Sequence, residues 1–252
     1  MAALIDALPK PVIMAHRGAS AHAPENTLAA FHLAMEHGAD GIELDTKLTA
    51  DGRVVVIHDP TVDRTTGSSG MVRQLTLEQI KNLDAGSHFD ARYAGEPVPT
   101  LEEVFEALVD GSLINIEVAN YASPRDGLPD AVAALVERYG MQQRVIFSSF
   151  NPFNLLSLRR RLPEVPVGLL TLPGWKGGLL RGPLGALFAP RWVHPYYTDV
   201  TEASLARAHA AGIGVNVWTV NRPEDMRRLF RMGIDGIITD DPHLARQVME
   251  EK

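Results

Sequence analysis

Apolar positions along the chain follow two rhythms. Short β-rich segments recur at PVIMAH (11–16), GIELDTKL (41–48), RVVVIH (53–58), SLINIEVA (112–119), RVIFSS (144–149), PVGLLTL (166–172), RWVHPY (191–196), GVNVWTV (214–220) and DGIITD (235–240). Most are separated by segments whose apolar spacing is near 3.6: NTLAAFHLAMEHG (26–38), TLEEVFEALVDG (100–111), DAVAALVERYG (130–140), TEASLARAHAAG (201–212) and PEDMRRLFRMG (223–233). Each of these closes on glycine, a common helix stop. Asn26, Thr100 and Thr201 read as N-caps. Strand and helix alternating over 252 residues predicts a (β/α)8 barrel, the TIM-barrel form of the α/β class. An open doubly wound sheet would want a glycine-rich phosphate loop after the first strand, and HRGASAHAPENT is not one.

Nine extended segments are one more than eight strands require. The sequence LTADGRVV resolves the excess as a hairpin: with ADGR as its turn, Thr49 lies opposite Val54 and Asp45 roughly opposite His58. Alternation puts Glu43 and Asp45 on one face, and the returning arm brings His58 beside them. Residues 60–99 then break the rhythm, being rich in turn formers with one short helix, LTLEQIKNL. Forty residues exceed a barrel loop, so they read as a small cap inserted after the HD motif over the active face, within a single domain spanning 1–252. A second irregular stretch, PGWKGGLLRGPLGALFAP (173–190), reads either as a lid or as a poor helix packed on the barrel.

Composition narrows the chemistry. Twenty-four basic and 31 acidic residues give a net charge of −7 with no basic run, which argues against a nucleic-acid surface or a polybasic anchor. No stretch approaches the roughly 20 apolar residues of a membrane span, and the N-terminus lacks the pattern of a secretory signal. A cytoplasmic enzyme without stable membrane insertion is the expectation. There are no cysteines, so any metal must sit on oxygen or imidazole.

In such barrels, functional groups project from the C-terminal ends of strands. The polar residues there are His16, Arg17, Glu43, Asp45, His58, Glu117, Ser148, Ser149, His194, Asn216, Trp218 and Asp240. Glu43, Asp45 and Glu117 favour one hard divalent cation, with Mg2+, Ca2+ and Mn2+ all suited to three carboxylates. Two histidines fit an acid–base pair, and Arg17 supplies a planar cation for phosphate oxygens. A divalent metal and a phosphate diester would explain why carboxylates and a histidine end an apolar hairpin. Taken singly, Glu117 reads as an ion-pair partner and His194 as a packing residue, while His22, His32, His37, His88 and His209 read as solvated.

The motifs HRGASAHAPENTLAAF, GIELDTKLTADGRVVVIHDPTVDRTTG, PTLEEVF, INIEV, SSF, VNVWTVN and DGIITDDP follow one another from about residue 12 to 242. In that order they resemble the glycerophosphodiester phosphodiesterase family. The resemblance implies a TIM barrel with a small insertion, a divalent metal, and hydrolysis of a small-molecule glycerophosphodiester to sn-glycerol 3-phosphate and an alcohol. It implies His16 and His58 as the acid–base pair, Arg17 as the phosphate holder, Glu43, Asp45 and Glu117 as metal ligands, and Trp218 as a pocket wall near the glycerol or the alcohol. Which histidine is the acid, and whether water attacks directly or a cyclic phosphate forms first, stay open.

One position departs. The family's third-carboxylate strand usually reads Glu-x-Lys, whereas INIEVAN has Ala119, which shares a face with Glu117. Lys47, Lys176 and Asn120 are the candidate replacements. Two alternatives therefore stand beside the active enzyme: a phosphodiester-binding protein weakened in catalysis, and a lysophospholipase D-type enzyme using the apolar 173–190 stretch for an acyl chain.

Overall fold

The structure, a computed structural model, describes residues 3–108, 111–121, 123, 125–181, 185, 187, 188 and 190–251. Its strands are β1 (Val12–His16), β2 (Gly41–Leu48), β3 (Val54–Val56), β4 (Leu113–Val118), β5 (Val145–Ser149), β6 (Val167–Thr171), β7 (Trp192–Pro195), β8 (Gly214–Val217) and β9 (Gly236–Thr239). They hydrogen-bond in the order β1-β9-β8-β7-β6-β5-β4-β2-β3, and β1 also pairs with β2. Eight parallel strands thus close into a TIM barrel, with β3 antiparallel on the flank of β2.

Period-two patterning sorts the strands' side chains. Ile42, Leu44, Ile114 and Ile116 join one apolar cluster with Phe31 and Ala34 of helix Leu28–Glu36 and with Val132 and Val136 of helix Leu128–Arg138. The alternate residues Glu43, Asp45, Asn115 and Glu117 therefore point into the barrel. Capping boxes start the helices at Thr100 and Thr201. The expected cap at Asn26 belongs instead to Thr27, whose side chain accepts the Ala30 N–H. Asn26 sits in the left-handed region (φ 57°), and its amide turns to Asp45.

The hairpin register is one residue off the sequence expectation. Thr46 pairs with Val56 and Leu48 with Val54, so Thr49 faces Arg53 rather than Val54. Thr49 takes both ends of the turn: its N–H donates to the Arg53 carbonyl, and its hydroxyl accepts the Arg53 N–H. Gly52, at φ 75°, closes a three-residue loop. Ile57 consequently stands beside Asp45, donating its N–H to that residue's carbonyl. His58 lies beyond the end of β3, free of the ladder's alternation.

Residues 57–99 pack on their own apolar cluster of Ile57, Val62, Val72, Ile80, Ala85 and Val98, seated against Val55. Helix Leu77–Lys81 lies within the predicted LTLEQIKNL segment. Of the 173–190 stretch, Trp175–Arg181 is helical, and 182–184, 186 and 189 lie outside the described residues. Helices Pro152–Arg161 and Pro242–Glu250 were not anticipated. No helix among the described residues is long and apolar enough to cross a membrane.

His194 is a core residue, fully buried on β7. Gly168 on β6 makes its room, since a Cβ there would come within 2.4 Å of its Nε2. Burial pushes the imidazole's pKa down to about 3. The unfolded chain takes up this proton first as pH falls below the ordinary 6.5 or so, so stability is lost from there down to about 3. We expect His194→Asn to flatten the acid limb of stability by up to about 1.4 kcal/mol per pH unit, whatever its baseline cost. Urea unfolding at pH 4 to 7 checks this, and an unchanged slope would count against it.

Candidate active site

At the C-terminal end of the barrel, Glu43, Asp45 and Glu117 offer carboxylate oxygens that all lie within 4.8 Å of one another. Parallel pairing explains the convergence, because Asp45 stands beside Glu117 across β2 and β4, and His16 beside Glu43 across β1 and β2. Glu43 and Asp45 are buried and Glu117 is partly so. Burial first, then the charges of Asp45 and Glu117, push the Glu43 carboxyl well above the usual carboxylate range. Burial and Asp45 push Glu117 up to about 8, against a 2.8 Å hydrogen bond from the Tyr121 hydroxyl. Three crowded carboxylates with no soft donor make a site that could hold a hard divalent cation.

Arg17 links this cluster to its surroundings. Its Nη1 donates to Glu25 (2.9 Å), its Nε stands 3.3 Å from Asp45, and its backbone N–H reaches Glu43. The residue holds φ 56°, and Gly18 (φ 84°) packs so close to Ala30 that a Cβ would fall 2.7 Å from it. The turn is thus built to aim consecutive side chains and N–H groups at the cluster. Asn26 donates to Asp45 at 2.9 Å.

Both histidines line the same cavity, and each is held the same way. His16 Nδ1 lies 2.6 Å from Asp240, and His58 Nδ1 lies 2.6 Å from Asp59. With Nδ1 engaged, Nε2 is each ring's remaining nitrogen. Asp59 accepts from Arg64 Nε, and Arg64 grips both oxygens of Glu25, which also holds Arg17. Burial alone would raise the Asp59 and Glu25 pKa values, but the hydrogen bonds outweigh it and bring both to about 2.

His16, Arg17, Glu43, His58, Glu117 and Trp218 line one cavity of about 440 Å³. A second, of about 210 Å³, runs beneath the inserted segment along Lys47, Arg73, Ala119 and Ser123. His58, Glu117 and Tyr121 border both. The family model that matches residues 16–244 is that of the glycerophosphoryl diester phosphodiesterases.

The chain belongs to that family. A glycerophosphodiester phosphodiesterase of Caldanaerobacter subterraneus is 45% identical over 235 residues, covering 92% of this chain and 95% of the relative. Among solved structures, an Oleispira antarctica phosphodiesterase in complex with the product sn-glycerol-3-phosphate superposes with a TM-score of 0.84 at 30% identity, covering 99% of this chain and 100% of that one. The glycerophosphodiester phosphodiesterase of Agrobacterium tumefaciens gives 0.81 at 31% identity, covering 94% and 99%.

The remaining sequence candidates divide. Asp240 joins the site through His16, whereas Ser149 donates to the Val118 carbonyl and Asn216 to Met14 Sδ, as packing contacts. Ala119, where the resemblance implies a lysine, lines the second cavity. Asn120 does not fill in, being tied to Asp126 and Asn154. Lys176 is exposed and lines neither cavity. Lys47 does reach the place: its ammonium donates to the Ala119 carbonyl at 2.7 Å. Continuing the β2–β4 register past Thr46 and Val118 makes these two residues neighbours. Sequence reasoning missed Glu25, Asp59, Arg64 and Tyr121. PENT and HDP contain the first two, but no local pattern announces that Arg64 bridges them.

Proposed function

We propose that this chain hydrolyses glycerophosphodiesters to sn-glycerol 3-phosphate and an alcohol. The observation that carries the reading is a pair of histidines, each anchored through Nδ1 to a carboxylate, sharing one cavity with Glu43 and Glu117 of a three-carboxylate cluster. Glu43, Asp45 and Glu117 would hold one divalent cation, Mg2+, Ca2+ or Mn2+. When bound, it supplies positive charge against the diester's oxygens. Arg17, lining the larger cavity, and Lys47, lining the smaller, add positive charge. One histidine takes the proton of the attacking oxygen and the other gives one to the departing alkoxide, which is a poor leaving group without it. Asp240 and Asp59 keep each ring's Nε2 toward the reaction. The phosphate would lie where the two cavities meet, with Trp218 on one side and the inserted segment 60–99 of the single domain on the other.

The test is release of glycerol 3-phosphate from glycerophosphocholine and glycerophosphoethanolamine, after chelation and after adding back each cation. Metal-restored turnover is expected; silence with every cation sinks the reading.

Lys47 has its own test. We expect Lys47→Met to lower kcat/KM ten- to a hundredfold, the roughly 1.5–3 kcal/mol of a charge-assisted contact. Ala119→Lys added to that variant should restore most of the loss, because it delivers the ammonium from the adjacent strand. Unchanged kcat/KM in Lys47→Met would show that the charge plays no part.

A further inference from the structure

Outside the barrel mouth lies a second group of metal-binding side chains, which the reaction above does not use. His22, in the loop after β1, His37, capping the end of helix Leu28–Glu36, and Asp241, capping the start of helix Pro242–Glu250, bring donor atoms within 4.8 Å of one another. His22 Nε2 is 3.0 Å from Asp241 Oδ2, about the spacing of two ligands on one ion. The other Asp241 oxygen caps its helix, accepting the Leu244 N–H, so the carboxylate is fixed in direction. His37 Nδ1 is buried and makes no hydrogen bond. Its ring lies 5.3 Å from the rings of both His22 and His243.

We propose that His22, His37 and Asp241 form a separate site for a borderline divalent cation of the Zn2+ class, with His243 adjacent as a further imidazole. Two nitrogens and one carboxylate oxygen select Zn2+, Co2+ or Ni2+ over the hard ions suited to Glu43, Asp45 and Glu117. The ion joins three segments distant in sequence, so it acts as a staple. Arg92 and Tyr93 of the inserted segment both donate to the His22 carbonyl, and the residue before Asp241 holds His16. The staple therefore ties the inserted segment to the backbone that orients a site histidine.

The experiment titrates ZnCl2 into the chelator-stripped full chain carrying Glu43→Gln and Glu117→Gln, which removes the carboxylate site. One equivalent should bind, Co2+ should give the visible bands of a nitrogen-ligated ion, and thermal unfolding should shift upward. Adding His37→Gln or His22→Gln should weaken Zn2+ binding at least tenfold. In the unaltered chain, Zn2+ stoichiometry should fall from two to one with His37→Gln, a check independent of the double variant. Absence of Zn2+ binding in the double variant, or binding indifferent to both histidine substitutions, overturns the site.

Discussion

Replacing His58 by alanine is expected to lower turnover of glycerophosphocholine by about two to four decades, the usual yield of general acid–base assistance. Its side chain is 41% exposed and its partner Asp59 retains Arg64, so the fold should tolerate the change. His16→Ala should cost as much in rate. The two are separable by leaving group. With p-nitrophenol departing, the variant lacking the general acid recovers at least tenfold relative to its loss on choline, because that leaving group needs no proton. The variant lacking the base recovers nothing. Losses below tenfold in both would remove the histidines from the chemistry.

Glu117→Gln should have the second large effect, with opposite signs on activity and on the stability of the metal-free protein. Removing one of three carboxylates should weaken cation binding by at least the ten- to hundredfold that even outer partners of a metal cost. In the metal-free chain, Glu117 holds its proton up to about pH 8, against an ordinary value of 4.5. The folded state then binds more protons than the unfolded one between those values. Glu117's contribution to stability is therefore greatest below about pH 4.5 and is lost as pH rises through about 8, with a limiting slope near 1.4 kcal/mol per unit for one group. Glu117→Gln should flatten that decline and raise the melting temperature of chelated protein at pH 8 by a few degrees. Added Mg2+ should raise the melting temperature of the unaltered chain most at that pH, and that of the variant far less. Thermal scans from pH 5.5 to 8.5, with and without Mg2+, decide the matter; parallel curves for both proteins would refute the assignment.

The barrel was legible because parallel strands buried on both sides read as short, near-continuous apolar runs, and the helices between them carry their own period. Glu43, Asp45 and Glu117 stood out as charges within such runs. Their convergence follows from strand pairing, which the sequence implies through strand order alone. The single-residue error in the hairpin came from the turn: ADGR looks like four loop residues, yet Thr49 closes the ladder on Arg53 and leaves three. Asn26 looked like a cap because asparagine favours that position. Its left-handed backbone instead serves Asp45, and nothing in PENT distinguishes the two uses. Glu25, Arg64 and Asp59 were unreadable for another reason, since their chain of ion pairs joins two loops through space. His22 and His37 read as solvated because each looks ordinary where it stands, and only the fold sets them ring to ring.

The meeting of Lys47 with the Ala119 carbonyl bears on how relatives of this chain are compared. An alignment scored column by column records a missing lysine at 119 and files the sequence among decayed members. A comparison scored by place in the barrel finds a positive charge there, supplied from the neighbouring strand's column. If the exchange is compensating, members with a small residue at the 119 position should be enriched in a long cation at the 47 position. Sorting the family by that pair, rather than by the lysine alone, separates exchanged sites from lost ones.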